Sequence, residues 1–160
     1  MDAEMKAALD ALIQRVTGLE DERDILDTLH RYGQAADSGD DQVWAELFTE
    51  DGEFSALDRA GTVLLREVGR SALASWMRNF RAGETRISKH VVLAPVIVLD
   101  GTSATVTSYL TRIIENIDPY APPALLLMGR YEDQMAKGAD GKWRFRRRKA
   151  HTEAPLFKRD

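Results

Sequence analysis

The chain contains no cysteine, which excludes disulfides, thiolate nucleophiles and any metal centre built on sulfur. It has no surplus of positive charge either. Lys and Arg number 22 against 26 Asp and Glu, giving a formal net charge of -4 and an isoelectric point near 5.4. A sequence-independent nucleic-acid binder needs a basic surface, so that class is set aside. Long apolar runs are missing: the longest, from Val91 to Leu99, is interrupted by Pro95 and is too short to span a bilayer. Met1, Asp2 and Glu4 lead straight into a helical pattern, without the basic start and apolar run of a secretory leader. A soluble, cytoplasmic protein with no membrane association is expected. Histidines are few, at positions 30, 90 and 151, and their spacing resembles no metal-ligand motif. Glycine-rich phosphate loops and a Gly-x-Ser-x-Gly elbow are also missing. The expectation is therefore no metal and no cofactor.

What remains is an ordinary globular composition, 44% hydrophobic and 30% charged, over 160 residues. That length suits one domain spanning residues 1–160, and no repeat, linker or low-complexity tract divides it. Leu9, Leu12, Ile13 and Val16 recur at helical spacing and predict an amphipathic N-terminal helix over about residues 1–17. Thr17 and Glu20 form a capping-box pattern and predict a second helix, with Ile25, Leu26, Leu29, Tyr32 and Ala36 on its apolar face. Ser38-Gly39 should end it. Asp40 reads as the cap of a third, short helix carrying Val43, Trp44, Leu47 and Phe48.

Thr49-Glu50-Asp51-Gly52 reads as a turn into a short strand through Phe54, paired with another near Thr62–Leu65. Gly69-Arg70-Ser71 opens a helix that turns Leu73, Trp76, Met77 and Phe80 inward. From Arg86 onward β-branched and aromatic residues dominate. They predict long strands at Ile87–Leu99, Ser103–Asn116, Ala124–Ala136 and Lys142–Glu153. Turns at Asp100-Gly101 and Gly138–Gly141, and a loop marked by Pro119, Pro122 and Pro123, make them an antiparallel meander. Helices followed by strands is the α+β pattern. A sheet this long curls, and helices covering part of its concave face leave a cavity in the rest.

Several stretches carry a family resemblance. They include Asp24–Gly33, Ala36-Asp37-Ser38-Gly39-Asp40 with Leu47–Gly52, Gly69-Arg70, Gly129-Arg130-Tyr131-Glu132-Asp133, and Gly141-Lys142-Trp143-Arg144-Phe145-Arg146. From about residue 20 onward the chain resembles SnoaL-like members of the NTF2-like superfamily; the N-terminal helix lies outside the likeness. The resemblance implies a cone-shaped, cystatin-like α+β barrel, a strongly curved antiparallel sheet wrapped over N-terminal helices. It also implies a homodimer or homotrimer, with the outer face of the sheet buried against another copy. Members of the superfamily include polyketide cyclases, isomerases, dehydratases, dehydrochlorinases, dioxygenase small subunits and non-catalytic binding domains, so the fold leaves the activity open.

In the dehydratase and dehydrochlorinase branch, an aspartate and a histidine at places matching Asp37 and His90 form a catalytic pair. A carboxylate bonded to one ring nitrogen fixes the tautomer and makes the other nitrogen a better base. The resemblance makes His90 the general base or acid and Asp37 its orienting partner. The bare residues also allow Asp37 to be a turn former and His90 an ordinary strand residue. Tyr32, Trp44, Phe48, Phe54, Trp76, Met77, Tyr109 and Tyr131 form the aromatic and soft apolar set from which core and pocket lining would both be drawn. His30 reads as solvent-facing, and His151 as a sheet-edge surface residue. The basic run Arg144, Arg146, Arg147, Arg148, Lys149 should split between two strand faces, Arg146 with Arg148 and Arg147 with Lys149. Glu132 and Asp133 on the neighbouring strand offer cross-strand ion pairs. The functions left open are a cofactor-independent lyase, dehydratase or isomerase acting on a small, largely apolar cyclic ligand; a ligand-binding module without turnover; and the accessory small subunit of a ring-hydroxylating dioxygenase.

Overall fold

A computed structural model of the chain describes residues 2–118 and 120–155. Pro119, expected in a loop, lies outside the described residues. The first helix, α1 (Ala3–Ser38), runs unbroken for 36 residues. The Asp2 carboxylate accepts a hydrogen bond from the Met5 N–H at its start, and Gly39, with φ of 79°, gives it a left-handed exit. This corrects the expectation of two helices meeting at Thr17. Gly18 sits inside the helix with nothing within 4 Å of a Cβ placed there. A glycine there costs about 1 kcal/mol relative to alanine, too little to break a helix whose apolar spacing continues on both sides. The short helix appears as α2 (Asp41–Glu46), capped by the Asp40 carboxylate accepting from the Val43 N–H at 3.0 Å. The helix after Gly69 is α3 (Arg70–Ala82).

Six strands follow and interleave with these helices: β1 (Phe48–Leu57), β2 (Val63–Val68), β3 (Ser88–Asp100), β4 (Ser103–Ile114), β5 (Ala124–Lys137) and β6 (Trp143–Pro155). Their order is β2-β1-β6-β5-β4-β3. The last four form the expected antiparallel meander. Two corrections concern β1. It is ten residues long, and Thr49–Gly52 is not a turn before it but a bulge between Phe48 and Glu53 in its pairing with β6. It also pairs with β6 in parallel, so the sheet is mixed rather than wholly antiparallel. A parallel neighbour needs a long crossover, and no local turn announces it.

The sheet is curved but not closed, since β2 and β3 remain edges. Register irregularities at Leu93/Val96, Arg112/Ile113, Met128/Gly129 and Gln134/Met135 help it bend. Pro95 sits at the first of these, on an edge strand where its missing N–H breaks no ladder bond. The concave side receives Ile25, Leu29, Tyr32 and Ala36 from α1, together with Trp44, Leu73 and Met77. Asp21 is the first buried residue of α1 and is held by the Trp143 Nε1–H at 2.8 Å and Lys137 Nζ at 2.6 Å. Before it, residues 2–17 are all exposed. Among the described residues no helix is long and apolar enough to cross a membrane.

A continuous α1 makes Gly18 a weak point. Replacing Gly18 with alanine should stabilise the helix locally by about 1 kcal/mol. Amide hydrogen exchange across residues 12–24 should slow accordingly; a break at Thr17 would give no such slowing.

Candidate active site

The site begins where α1 crosses β3. Gly33 faces the strand so closely that a Cβ there would stand 2.8 Å from the His90 carbonyl oxygen. One turn later Asp37 turns its carboxylate onto the same residue. Its two oxygens accept the His90 backbone N–H at 3.1 and 3.2 Å, and Oδ1 lies 2.8 Å from His90 Nδ1. The His90 and Asp37 side chains are 14% and 7% exposed, so both are sheltered yet reachable by solvent. A carboxylate next to Nδ1 requires the proton there. In the neutral ring Nε2 is then the free, basic nitrogen, a tautomer assigned from the hydrogen bond. Asp37 thus bonds across 53 residues of sequence rather than to neighbouring turn amides.

Around His90 stand Trp76, already among the apolar candidates, and two groups not singled out from the sequence as part of a site, Phe80 and Arg112. Phe80 lies with its ring centroid 6.4 Å from that of His90, and Trp76 stacks on Phe80 at 5.3 Å and 20°. Arg112 is the register partner of His90 on β4, so both point to the concave side. Its guanidinium carbon is 5.1 Å from the Phe80 centroid, and it donates to Ser88 Oγ and Glu84. The parity of the antiparallel pair was the signal that could have found it.

Of the apolar candidates, Tyr32, Trp44, Phe48, Phe54, Met77 and Tyr131 are buried, and Trp76 is half-buried. Tyr32 touches Trp44, Phe48 and Tyr131, and Trp44 touches Phe54 and Trp76. Tyr109 does not join them. It is 64% exposed, because β4 turns Ser108 and Leu110 inward and the residue between them outward. His30 is exposed; His151 is half-buried beside Glu132, on the face opposite Ala150.

Deeper in the cone lies a charge. Arg148 is fully buried, with its guanidinium carbon 3.6, 3.9 and 4.4 Å from the ring centroids of Tyr131, Tyr32 and Phe145. Its Nε is 3.4 Å from Oδ1 of Asp133, its register partner on β5. The expected cross-strand ion pair is present, but the expected sharing of a face by Arg146 and Arg148 is not. Gln134 pairs with Arg147 and Met135 with Phe145, leaving Arg146 as an extra residue that reverses the alternation. Arg146 is therefore exposed and Arg148 enclosed. Among the described residues, none of the three guanidinium nitrogens, nor either Asp133 oxygen, nor Ser108 Oγ finds a hydrogen-bond partner. Burial pushes the Asp133 carboxyl up to about 6, with the Arg148 charge pulling against it. Burial also raises the Tyr32 and Tyr131 hydroxyls above their ordinary value.

An open cavity of about 670 Å³ lies on another face of α1, away from the Asp37–His90 contact, bordered by Asp24, Asp27, Arg31, Arg70, Asp140 and Arg144 among others. Several of its charges are paired with one another or with neighbours, as in Arg31–Asp27, Arg70–Glu50 and Arg144–Asp140. A groove so charged and open is a poor container for an apolar ligand, and it includes neither Asp37 nor His90.

Residues 17–149 match the SnoaL-like domain family, and the chain belongs to it. Among solved structures it is similar to an NTF2-like protein with a cystatin-like fold from Novosphingobium aromaticivorans. The identity is 25% and the TM-score 0.78, covering 90% of this chain and 89% of that one. The β subunit of a candidate aromatic-ring-hydroxylating dioxygenase from the same organism shares 16% identity, with a TM-score of 0.76 over 89% and 95% of the two chains. A candidate scytalone dehydratase, also from that organism, shares 24% identity, with a TM-score of 0.72 over 91% and 99%. No curated protein matches the sequence significantly.

Two outcomes follow from this geometry. Replacing Gly33 with alanine should force α1 off β3, lowering stability by about 1–3 kcal/mol in urea denaturation and loosening the Asp37–His90 contact. The second concerns pH. An acid whose pKa is raised on folding holds its proton better in the native state, so its contribution to stability is complete below about pH 4. That contribution is lost as the pH rises through about 6, where Asp133 ionises. Asp133→Asn should flatten that part of the stability profile, measured by denaturation at pH 4, 5, 6 and 7.

Proposed function

We propose that this SnoaL-like protein holds a small, largely apolar cyclic molecule above the Asp37–His90 pair and moves a proton on it, as a cofactor-independent lyase of the dehydratase kind or an isomerase. The observation that carries this reading is the 2.8 Å contact between Asp37 Oδ1 and His90 Nδ1 on the sheltered side of the sheet. With Nδ1 committed to the carboxylate, Nε2 takes a proton from a carbon beside a carbonyl. The imidazolium so formed is stabilised by Asp37. In an isomerase the same proton returns to another carbon; in a dehydratase it goes to a departing hydroxyl, which leaves as water. The flat walls of Trp76 and Phe80 suit a ring-shaped ligand. The unpartnered donors of Arg148, enclosed beneath the aromatic floor, favour a bound water rather than the ligand itself. The name of the dehydratase-like neighbour supports the same reaction class.

A second reading, the accessory subunit of a ring-hydroxylating dioxygenase, is favoured by a different observation. The outer face of the sheet exposes Leu93, Val96, Val98 and Tyr109, an apolar patch that a large partner would cover. It predicts co-purification with a separate iron-containing chain.

The test incubates the protein in D2O with a panel of cyclic and aromatic ketones and follows deuterium incorporation by mass spectrometry. Proton transfer by His90 predicts exchange that falls about 100- to 10,000-fold in His90→Ala. Asp37→Asn should lower it too, and nitrogen NMR should show His90 losing its fixed Nδ1–H tautomer. Binding without exchange would establish the non-catalytic module, and exchange indifferent to His90 would overturn the dyad.

A further inference from the structure

We propose that the projecting N-terminal part of α1 is a pairing helix, laid in parallel along the same segment of a second copy of this chain. Residues 2–17 are all exposed, yet they are not uniformly polar. Met5, Leu9, Leu12, Val16 and Leu19 are 59%, 44%, 55%, 45% and 65% exposed. Their steps along the sequence are four, three, four and three. That is the repeat of a coiled-coil seam, in which a heptad's first and fourth positions meet those of a partner helix. It ends where the helix enters the domain, at Arg23 in the next seam position and buried Asp21 beside it. The free segment is about 25 Å long at 1.5 Å per residue. A helix of that length is only marginal alone in water, and Gly18 weakens it further. A partner along the seam supplies what the domain does not.

Charge points to a second copy as the partner. With Leu9 and Val16 at first positions and Met5, Leu12 and Leu19 at fourth positions, Arg15 and Glu20 fall on the two flanks of the seam. In a parallel pair, residues five apart on these flanks face each other, so Arg15 meets Glu20 of the partner subunit, and twofold symmetry repeats the contact. The same register sets Ala8 against Ile13 of the partner subunit, covering a side chain that is 53% exposed. Packing the same seam antiparallel would instead set Arg15 against Arg15 of the partner subunit. A β-branched Val16 at a first position with leucines at fourth positions is also the pattern of two-stranded parallel coils.

The experiment compares the mass in solution of the full chain and of a Leu9→Asp, Leu12→Asp variant by analytical ultracentrifugation. These residues lie on the exposed part of α1, so the variant should keep the parent's near-UV circular dichroism and still unfold cooperatively. The expected result is a halving of mass. A mass unchanged by the two substitutions, whether a monomer or an oligomer held elsewhere, overturns the proposal. Because the chain has no cysteine, Val16→Cys gives a single reporter. Oxidation should link two copies into a covalent dimer, and failure to cross-link overturns the parallel arrangement.

Discussion

A carboxylate at the end of a long helix is bonded both to the backbone and to the ring of a residue 53 positions away, and the helix reaches that residue only because position 33 has no side chain. Among the described residues β3 is an edge strand, with β4 on one side and no strand on the other. Its outward N–H groups need partners, and Asp37 supplies one to His90. The interaction that secures the sheet edge to α1 is thus the one that orients the imidazole. Structure and chemistry are separable here, because loss of the ring leaves the backbone bond in place, whereas loss of the carboxylate removes both.

The other unusual feature is the charge inside the cone. A buried guanidinium facing one carboxylate, with neither hydrogen-bonded, is not an efficient source of stability. Replacing such a pair with apolar residues of similar volume is often neutral or favourable. Three aromatic rings around Arg148 recover part of the cost through their negative faces. What the pair does specify is register. A slip of β6 by one residue would turn Arg148 outward and one of its neighbours into the rings, so the bulge at Arg146 and the enclosed charge select the same alignment.

Much of this was legible in the sequence, for identifiable reasons. The four long strands were readable because their β-branched runs are bounded by Asp100-Gly101 and Gly138–Gly141, and α3 because Gly69 precedes a clear apolar face. The pairing of Asp37 with His90 came from family resemblance and not from spacing, since no local pattern links residues so far apart. The parallel union of β1 and β6 was hidden because the chain between them runs through a strand, a helix and three more strands. The continuity of α1 was masked by a capping pattern at Thr17 that the surrounding apolar periodicity overrides. Tyr109 was misplaced for want of register: β4 and β5 carry one aromatic residue each, Tyr109 facing outward and Tyr131 inward, and only the buried Val106, Ser108 and Leu110 show which parity of β4 is inward.

The burial of the aromatic set also narrows what the proposed function demands of the cone. Tyr32, Trp44, Phe48 and Tyr131 are at most 3% exposed and lie against one another, so they form the floor and not the walls of any binding space. The apolar surface left for a ligand near His90 falls to the half-buried Trp76, Phe80, Val92 and Leu127. Such a surface suits a small ring system placed edge-on to the imidazole better than an extended chain. The fixed rings below it and the clamped helix beside it hold the His90 ring in place, and in the proposed reaction a base that need not reorganise is what would make a modest imidazole effective against a carbon acid.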